Sequence, residues 1–524
     1  MVKEPLRRAS SMSVADPIMS LSATALAKKI ATGELSSKEV VEAFIRRNEE
    51  VHPQINGLIV QRFDAARQEA EQADEQVKQG TEIGPLHGVP VTIKETFDVA
   101  GTPTTFGLNQ LAHRKAKSDA ITVARLRRAG AVVLGKTNVP QLGLFAESDN
   151  PVYGRTNNPW DLERGAGGST GGEAAVISAG GSPLGLGSDA AGSVRFPAHV
   201  CGICGLKPTG GRLSMKGHWL SVNWPADWAQ PGPMALHVED LTLGLKVLID
   251  DRRPEVDETA SPFIDPAEVE LSNLRVGYYE QVDALPALPA LKRGVVEARQ
   301  RLQELGVDVV PIQPFEAEKI WKLFTQVFYA EGLGDLRKFL KGSQVDWRTK
   351  NMMRLARIPR GLRPPISAVA KVIGEKTMGE TMANLRKPVI SSSVYCRLLA
   401  EVQRLRFRFQ AWMREQSLNA ILAPPAPIPA FPHGDFYANS ALMYNGIYNL
   451  LGVPAGVAHV TRVQMAEQGS YQPGRDVFDR SRARSDHGSE GLPIGVQVIS
   501  SRWQDHVVLA LLQQLHQPTH APNC

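Results

Sequence analysis

Long apolar runs are missing from this chain of 524 residues: nowhere do 18 or more apolar residues follow one another, which excludes a bilayer-spanning helix. The first 17 residues carry basic side chains but no apolar stretch behind them, so the sequence predicts no secretory leader and a cytoplasmic setting. Cysteine is scarce. Cys201, Cys204, Cys396 and Cys524 are too few for a disulfide framework and suit a reducing compartment. The Cys201-Gly-Ile-Cys204 run has no second pair and no pair of histidines nearby, which makes it a poor zinc site. Both cysteines read as buried packing residues, and neither a metal nor an organic cofactor is predicted.

What is present describes an ordinary globular protein, with 43% hydrophobic and 22% charged residues. Residues 21–31 and 36–50 have helical apolar spacing, with Ser22 and Ser36 as N-caps, and a polar helix should cover 63–79. Short strands at 89–94 and 131–137 enclose a helix at 119–129. Further on, a strand at 274–279, a helix at 290–305 and a strand at 307–312 repeat that alternation. A helix over 394–415 precedes a strand at 418–423. Strands at 453–461 and 492–500 flank a polar loop, and a helix at 505–516 closes the chain. Strands alternating with helices in this way predict an α/β fold. We read one large domain over 21–524 after a tail of residues 1–20, with a mixed central sheet covered by helices on both faces.

Glycine is concentrated in one place. Residues 165–193 hold ten of the 46 glycines, without a three-residue repeat. Such density means that the backbone takes unusual dihedrals or approaches something closely. Ser169 and Ser193 stand toward the two ends of this stretch, and either could be a nucleophile if a base lies beside it. His87 sits in the turn before the strand of Lys94 and His199 lies six residues after Ser193, but neither has an Asp or Glu orienting motif. Gly167-Gly168-Ser169-Thr170-Gly171 fits the G-x-S-x-G pattern, but that elbow needs a buried strand immediately before it, and the residues here read as loop. Lysine is the other candidate base. Lys94 ends an apolar strand, where desolvation would lower its pKa and free a lone pair. Taken alone, a lysine that ends a strand is more often a solvated surface residue.

Three longer motifs change that balance: Gly-Val-Pro-Val-Thr-Ile-Lys94, Gly-Gly-Ser169-Thr-Gly-Gly, and Gly-Ser-Asp-Ala-Ala-Gly-Ser193-Val-Arg-Phe-Pro-Ala. With Cys-Gly-Ile-Cys-Gly-Leu-Lys-Pro-Thr they resemble the amidase signature hydrolases, over residues 20 to 516. Thr-Asn-Val-Pro-Gln (137–141), Gly-Ser-Pro-Leu-Gly-Leu-Gly (181–187) and Pro-Ala-Gly-Val (454–457) are similar to the fatty acid amide hydrolase branch. The resemblance implies a Ser–Ser–Lys triad with Ser193 as nucleophile, Ser169 as a bridging serine after a cis peptide bond from Gly168, and Lys94 as terminal base. It also implies an oxyanion site made by the backbone amides of Ala190, Ala191, Gly192 and Ser193. Gly143 falls where the family has its pocket wall. Asp189 and Arg195, which flank the nucleophile, read as a buried ion pair that braces the loop.

Charge is uneven. Residues 341–410 hold 15 Lys/Arg against 4 Asp/Glu, a local +11 in a chain of +5, so the remainder is −6. Within 347–373 cations alternate with Met352, Met353, Leu355, Ile358, Leu362, Ile366, Val369 and Ile373, the pattern of an interfacial helix. Pro364-Pro365 should break it into two short helices. A cap over 345–390 that meets a membrane peripherally is the expectation, with an ordinary solvated helix pair packed on the core, or a homodimer surface, as the other readings of that face. Nucleic acid is not expected, because aromatics for base stacking are not interleaved. The predicted substrate is a hydrophobic or fatty acyl amide, and ester cleavage would follow from the same chemistry. Aryl or other small amides, or glutamine in a transamidation complex, are alternatives within the same triad. An inactive lipid-binding member is the alternative from another class.

Overall fold

A computed structural model of the chain describes residues 17–218, 227–249, 262–328, 330, 334–375, 379 and 391–521. Among them, eleven strands join in one sheet. In chain order these are β1 (Leu58–Gln61), β2 (Pro90–Lys94), β3 (Val132–Thr137), β4 (Leu184–Asp189), β5 (Cys204–Lys207), β6 (Gln230–Ala235), β7 (Arg275–Tyr278), β8 (Asp308–Pro311), β9 (Ala420–Ala423), β10 (Ala455–Arg462) and β11 (Pro493–Ser500). Across the sheet they run β1-β3-β2-β4-β6-β5-β10-β11-β9-β7-β8. β2 pairs in parallel with β3 and β4, and β7 with β8 and β9. The run from β4 through β6, β5, β10 and β11 to β9 is antiparallel throughout. The sheet is therefore mixed, as expected.

Alternation along the strands shows why both faces are covered. On β9, Ala420 and Leu422 enter one core cluster while Ile421 and Ala423 enter another. The first cluster takes in the helices Ser37–Ile55, Val238–Ile249 and Asp505–Leu515. The opposite face carries Gly171–Ser178, Arg195–Cys201, Ala317–Phe328 and Met443–Leu451. Each helix begins as its sequence dictates where a cap is present. Ser22 accepts from the Ala25 N–H, and Ser36 and Glu39 form a reciprocal capping box ahead of Ser37–Ile55.

Strand propensity along the sequence does not reveal β4, β5 and β6, for a physical reason. β4 is Leu-Gly-Leu-Gly-Ser-Asp and β6 is Gln-Pro-Gly-Pro-Met-Ala, both poor in the residues that favour strands. β6 tolerates Pro231 and Pro233 because β5 pairs with it only at Met234 and Ala235. The stretch read as a polar loop between β10 and β11 also contains the helix Val477–Asp486.

The basic cap forms two short helices, Trp347–Ala356 and Arg363–Val372. Pro364 and Pro365 do not lie in the gap between them. They occupy the first turn of the second helix, where a missing N–H is harmless. Of the cap at 345–390, residues 376–378 and 380–390 fall outside the described residues, as do 1–16 of the N-terminal tail and Cys524.

Candidate active site

On β2, Val91 and Ile93 join the first core cluster, so Thr92 and Lys94 point to the other face. There the helix Gly171–Ser178 lies against the sheet. Gly185 of β4 permits the approach: a Cβ at that position would stand 2.0 Å from Glu173 Oε1. Glu173 is buried and accepts hydrogen bonds from the hydroxyls of Thr92 and Thr137. Burial raises its carboxyl to about 7, against the pull of those two hydroxyls and of Lys94.

Lys94 is fully enclosed. Its Nζ lies 2.8 Å from Ser169 Oγ, 3.0 Å from Ser188 Oγ and 3.1 Å from the Ser188 carbonyl oxygen. Desolvation lowers its pKa to about 7, opposed by the charges of Asp189 and Glu173. A lysine so placed is half neutral at physiological pH and can accept a proton.

Ser169 follows a cis peptide bond from Gly168 and precedes the helix Gly171–Ser178. The residues before it are not plain loop, as the sequence suggested. Asp161–Gly165 is a strand, but it pairs with Asn157–Asn158 in a hairpin outside the main sheet, so the elbow of α/β-hydrolases is not reproduced.

Ser193 sits in the turn between β4 and the helix Arg195–Cys201. Its carbonyl accepts from the Thr170 N–H at 3.2 Å, which ties the two serine segments together. The turn wraps the Asp189 carboxylate, which accepts from the N–H groups of Gly192 (2.7 Å), Val194 (3.2 Å) and Arg195 (3.4 Å). Burial opposes ionisation of Asp189, but Arg195 and these donors outweigh it and hold the carboxyl well below its usual range. Gly192 has a φ of 110°, a conformation that only glycine adopts freely. Ala191 has no positive φ, so alanine is tolerated there. Among the described residues, the N–H groups of Ala190, Ala191 and Ser193 have no protein acceptor, whereas that of Gly192 is committed to Asp189.

Gly143 lies half-buried in a short 3-10 turn, Gln141–Gly143. This loop continues to Phe145, whose carbonyl would stand 2.2 Å from a Cβ on Gly168. His87 and His199 lie away from the serines. His87 Nε2 meets the Ala73 carbonyl, while His199 is held by the Ile428 carbonyl and the Gly495 N–H, and burial lowers its pKa to about 4. Cys201 and Cys204 are buried free thiols whose Sγ atoms face the carbonyls of Ala166 and Ala235.

For several site residues the sequence implied no role. Ser188 and His218 reach Lys94 by a chain of hydrogen bonds, and Asn449 caps the Asp189 carboxylate at 3.0 Å. An aromatic wall stands beside Ala191. Trp321 and Phe324 stack at 5.1 Å, Phe324 stacks on Phe328 at 6.2 Å and on Trp228 at 5.2 Å, and Ala191 packs on the same cluster. The helical spacing of these aromatics in Ala317–Phe328 was the signal available.

The chain and its fold are similar to those of known proteins. The Amidase family model matches residues 39–509. The chain is 32% identical over 506 residues to fatty-acid amide hydrolase 1 of Sus scrofa, aligning 95% of itself with 86% of that protein. Among solved structures, a fatty acid amide hydrolase superposes with a TM-score of 0.83 at 26% identity, covering 96% of this chain and 86% of the other. A 6-aminohexanoate cyclic dimer hydrolase complexed with substrate superposes with a TM-score of 0.75 at 25% identity, covering 95% and 97%.

Proposed function

Because the chain belongs to the amidase family, hydrolases that act on amide C–N bonds, we propose that it cleaves amides of hydrophobic or fatty acyl chains through a Ser193–Ser169–Lys94 relay. The observation that carries this reading is the 2.8 Å contact between a fully buried Lys94 and Ser169 Oγ. Neutral Lys94 takes a proton from Ser169, which takes one from Ser193, and Ser193 Oγ attacks the acyl carbon. The oxyanion is met by the N–H groups of Ala190, Ala191 and Ser193. Gly192, whose own N–H is held by Asp189, contributes the left-handed turn that aims them, in place of the fourth donor expected from the sequence. The proton returns through Ser169 to the leaving amine. Water then attacks the ester of Ser193, gives its proton to the same relay, and releases the acid.

The aromatic wall beside Ala191 supports a hydrophobic acyl group, and the family resemblance assigns Gly143, in the turn Gln141–Gly143, to the wall of the same pocket. The cap supplies the second half of the reading, a peripheral contact with a membrane from which an apolar substrate would come. Turnover of amides from acetyl to long acyl, with aryl amides, a cyclic amide and glutamine in the same panel, tests the substrate class. Rates that rise with acyl length support the proposal, and preference for glutamine or short acyl groups overturns it. Labelling of Ser193 by a fluorophosphonate, abolished in Ser193→Ala, tests the nucleophile.

A further inference from the structure

Lys94 is held by more than its relay partner. Ser188 Oγ, 3.0 Å from Lys94 Nζ, lies 2.9 Å from His218 Nε2. The same ring nitrogen is 2.8 Å from Thr96 Oγ1. The imidazole is buried, edge-on to Phe97 at 4.6 Å and to Phe106 at 6.0 Å. The proton relay through Ser169 makes no use of it.

The polarity of this chain follows from what each group can donate. Protonated or neutral, Lys94 turns N–H groups toward the carbonyl and hydroxyl oxygens of Ser188. Ser188 Oγ therefore accepts from Lys94, and its single hydrogen is left to point at His218 Nε2. The opposite polarity has a chemical consequence. An N–H on Nε2 would turn the Ser188 hydrogen back toward Lys94, where it would compete with Ser169 for the lone pair that must take the proton. The charged groups facing Lys94 are Asp189 and Glu173. Burial and the Lys94 charge hold His218 well below the ordinary imidazole range, so the ring is neutral at neutral pH and keeps one N–H and one bare nitrogen. The hydrogen that Ser188 turns toward Nε2 assigns the bare position to that nitrogen.

We infer that His218 is a positioning residue for the amidase reaction: by accepting at Nε2 it turns the Ser188 hydroxyl away from Lys94 and reserves the Lys94 lone pair for Ser169. The inference rests on Lys94 acting as the base.

His218→Phe and His218→Leu remove the acceptor while keeping a packed side chain, and His218→Gln keeps a carbonyl acceptor. The first two should lower kcat about tenfold, leave KM within twofold, and move the acid limb of the pH profile of kcat/KM to lower pH. His218→Gln should recover most of the rate. In a Ser188→Ala background no hydroxyl remains to be misdirected, so adding His218→Phe should change kcat less than twofold. An unimpaired His218→Phe, an undiminished loss in the Ser188→Ala background, or failure of both apolar variants to fold would each overturn the inference. Lys94→Ala and Ser193→Ala run alongside separate it from its premise. Activity in those two removes the relay itself, whereas their inactivity beside an unimpaired His218→Phe removes only the role of His218.

Discussion

The carboxylate of Asp189 and the guanidinium of Arg195 meet at two points, Nε to Oδ2 at 2.9 Å and Nη2 to Oδ1 at 3.1 Å, with neither side chain exposed. Arg195 also reaches Gln497 and Asn449, so the pair anchors the turn bearing Ser193 to β11 and to the helix Met443–Leu451. Arg195→Met would leave a buried carboxylate without its countercharge. Removing one partner of such a pair costs about 3–5 kcal/mol. Melting temperature should fall, and kcat should drop about 10²-fold as the amides that Asp189 organises lose their aim. Calorimetry and steady-state kinetics check both, and wild-type values in either would contradict the bracing role.

With Lys94 near pKa 7, kcat/KM should rise as pH increases through 7 and level off above it, because the reactive form is the neutral amine. At pH 6 roughly a tenth of the enzyme would be competent, from the tenfold change per pH unit that a single titration gives. An unperturbed lysine would place the same limb above pH 10. Lys94→Arg, charged at every accessible pH, should be inactive throughout the range. A pH–rate profile on a neutral amide measures this, and a flat profile from pH 5 to 9 would refute it.

Much of this was legible in the sequence, and the rest was hidden for specific reasons. Apolar periodicity marked the flanking αβ units, whose helices and strands fall within two or three residues of their expected bounds except that Ser37–Ile55 runs five further. The antiparallel middle was hidden because β4 and β6 use glycine and proline to admit helix Gly171–Ser178 and to skip part of a ladder, against strand propensity. Lys94 and Ser169 emerged from motifs. Their supports did not: Ser188 lies 94 residues from Lys94 and His218 a further 30, and only folding places them together.

Glu173 carries a second pH effect, on stability. Its carboxyl is raised from 4.5 to about 7 by burial, so between those values the folded chain holds a proton that the unfolded chain has lost. The contribution is complete below pH 4.5 and disappears as pH rises through 7. Glu173→Gln cannot ionise, and its amide still offers an oxygen to Thr92 or Thr137. Relative to the wild type, this variant should gain up to about 3 kcal/mol above pH 7, since each tenfold change in a protonation equilibrium is worth about 1.4 kcal/mol. Melting curves of the two proteins from pH 4.5 to 8 should converge at the acid end and separate at the alkaline end. Parallel curves would show that Glu173 titrates normally.

The second cap helix presents an apolar stripe to solvent. Val369, Val372 and Ile373 are 60%, 85% and 56% exposed, in line with Leu362 and Ile366 at helical spacing, and Lys371 lies among them. The other cap helix is differently used: Arg348 is buried against Glu147, Asp149 and Asp346, which fastens the cap to the loop that follows Gly143. A firmly held cap with an apolar outer stripe and surrounding cations suits insertion at an anionic bilayer surface. Val369→Asp with Val372→Asp and Ile373→Asp should abolish sedimentation with phosphatidylserine vesicles. Because these side chains point away from the core, kcat/KM on a water-soluble short-chain amide should stay within twofold. Added salt should weaken vesicle binding of the wild type only in part, since the cations are screened but the apolar contact is not. Undiminished sedimentation of the triple variant would assign the stripe to another surface, and a variant dimeric state in place of lost vesicle binding would assign it to a second copy of the chain.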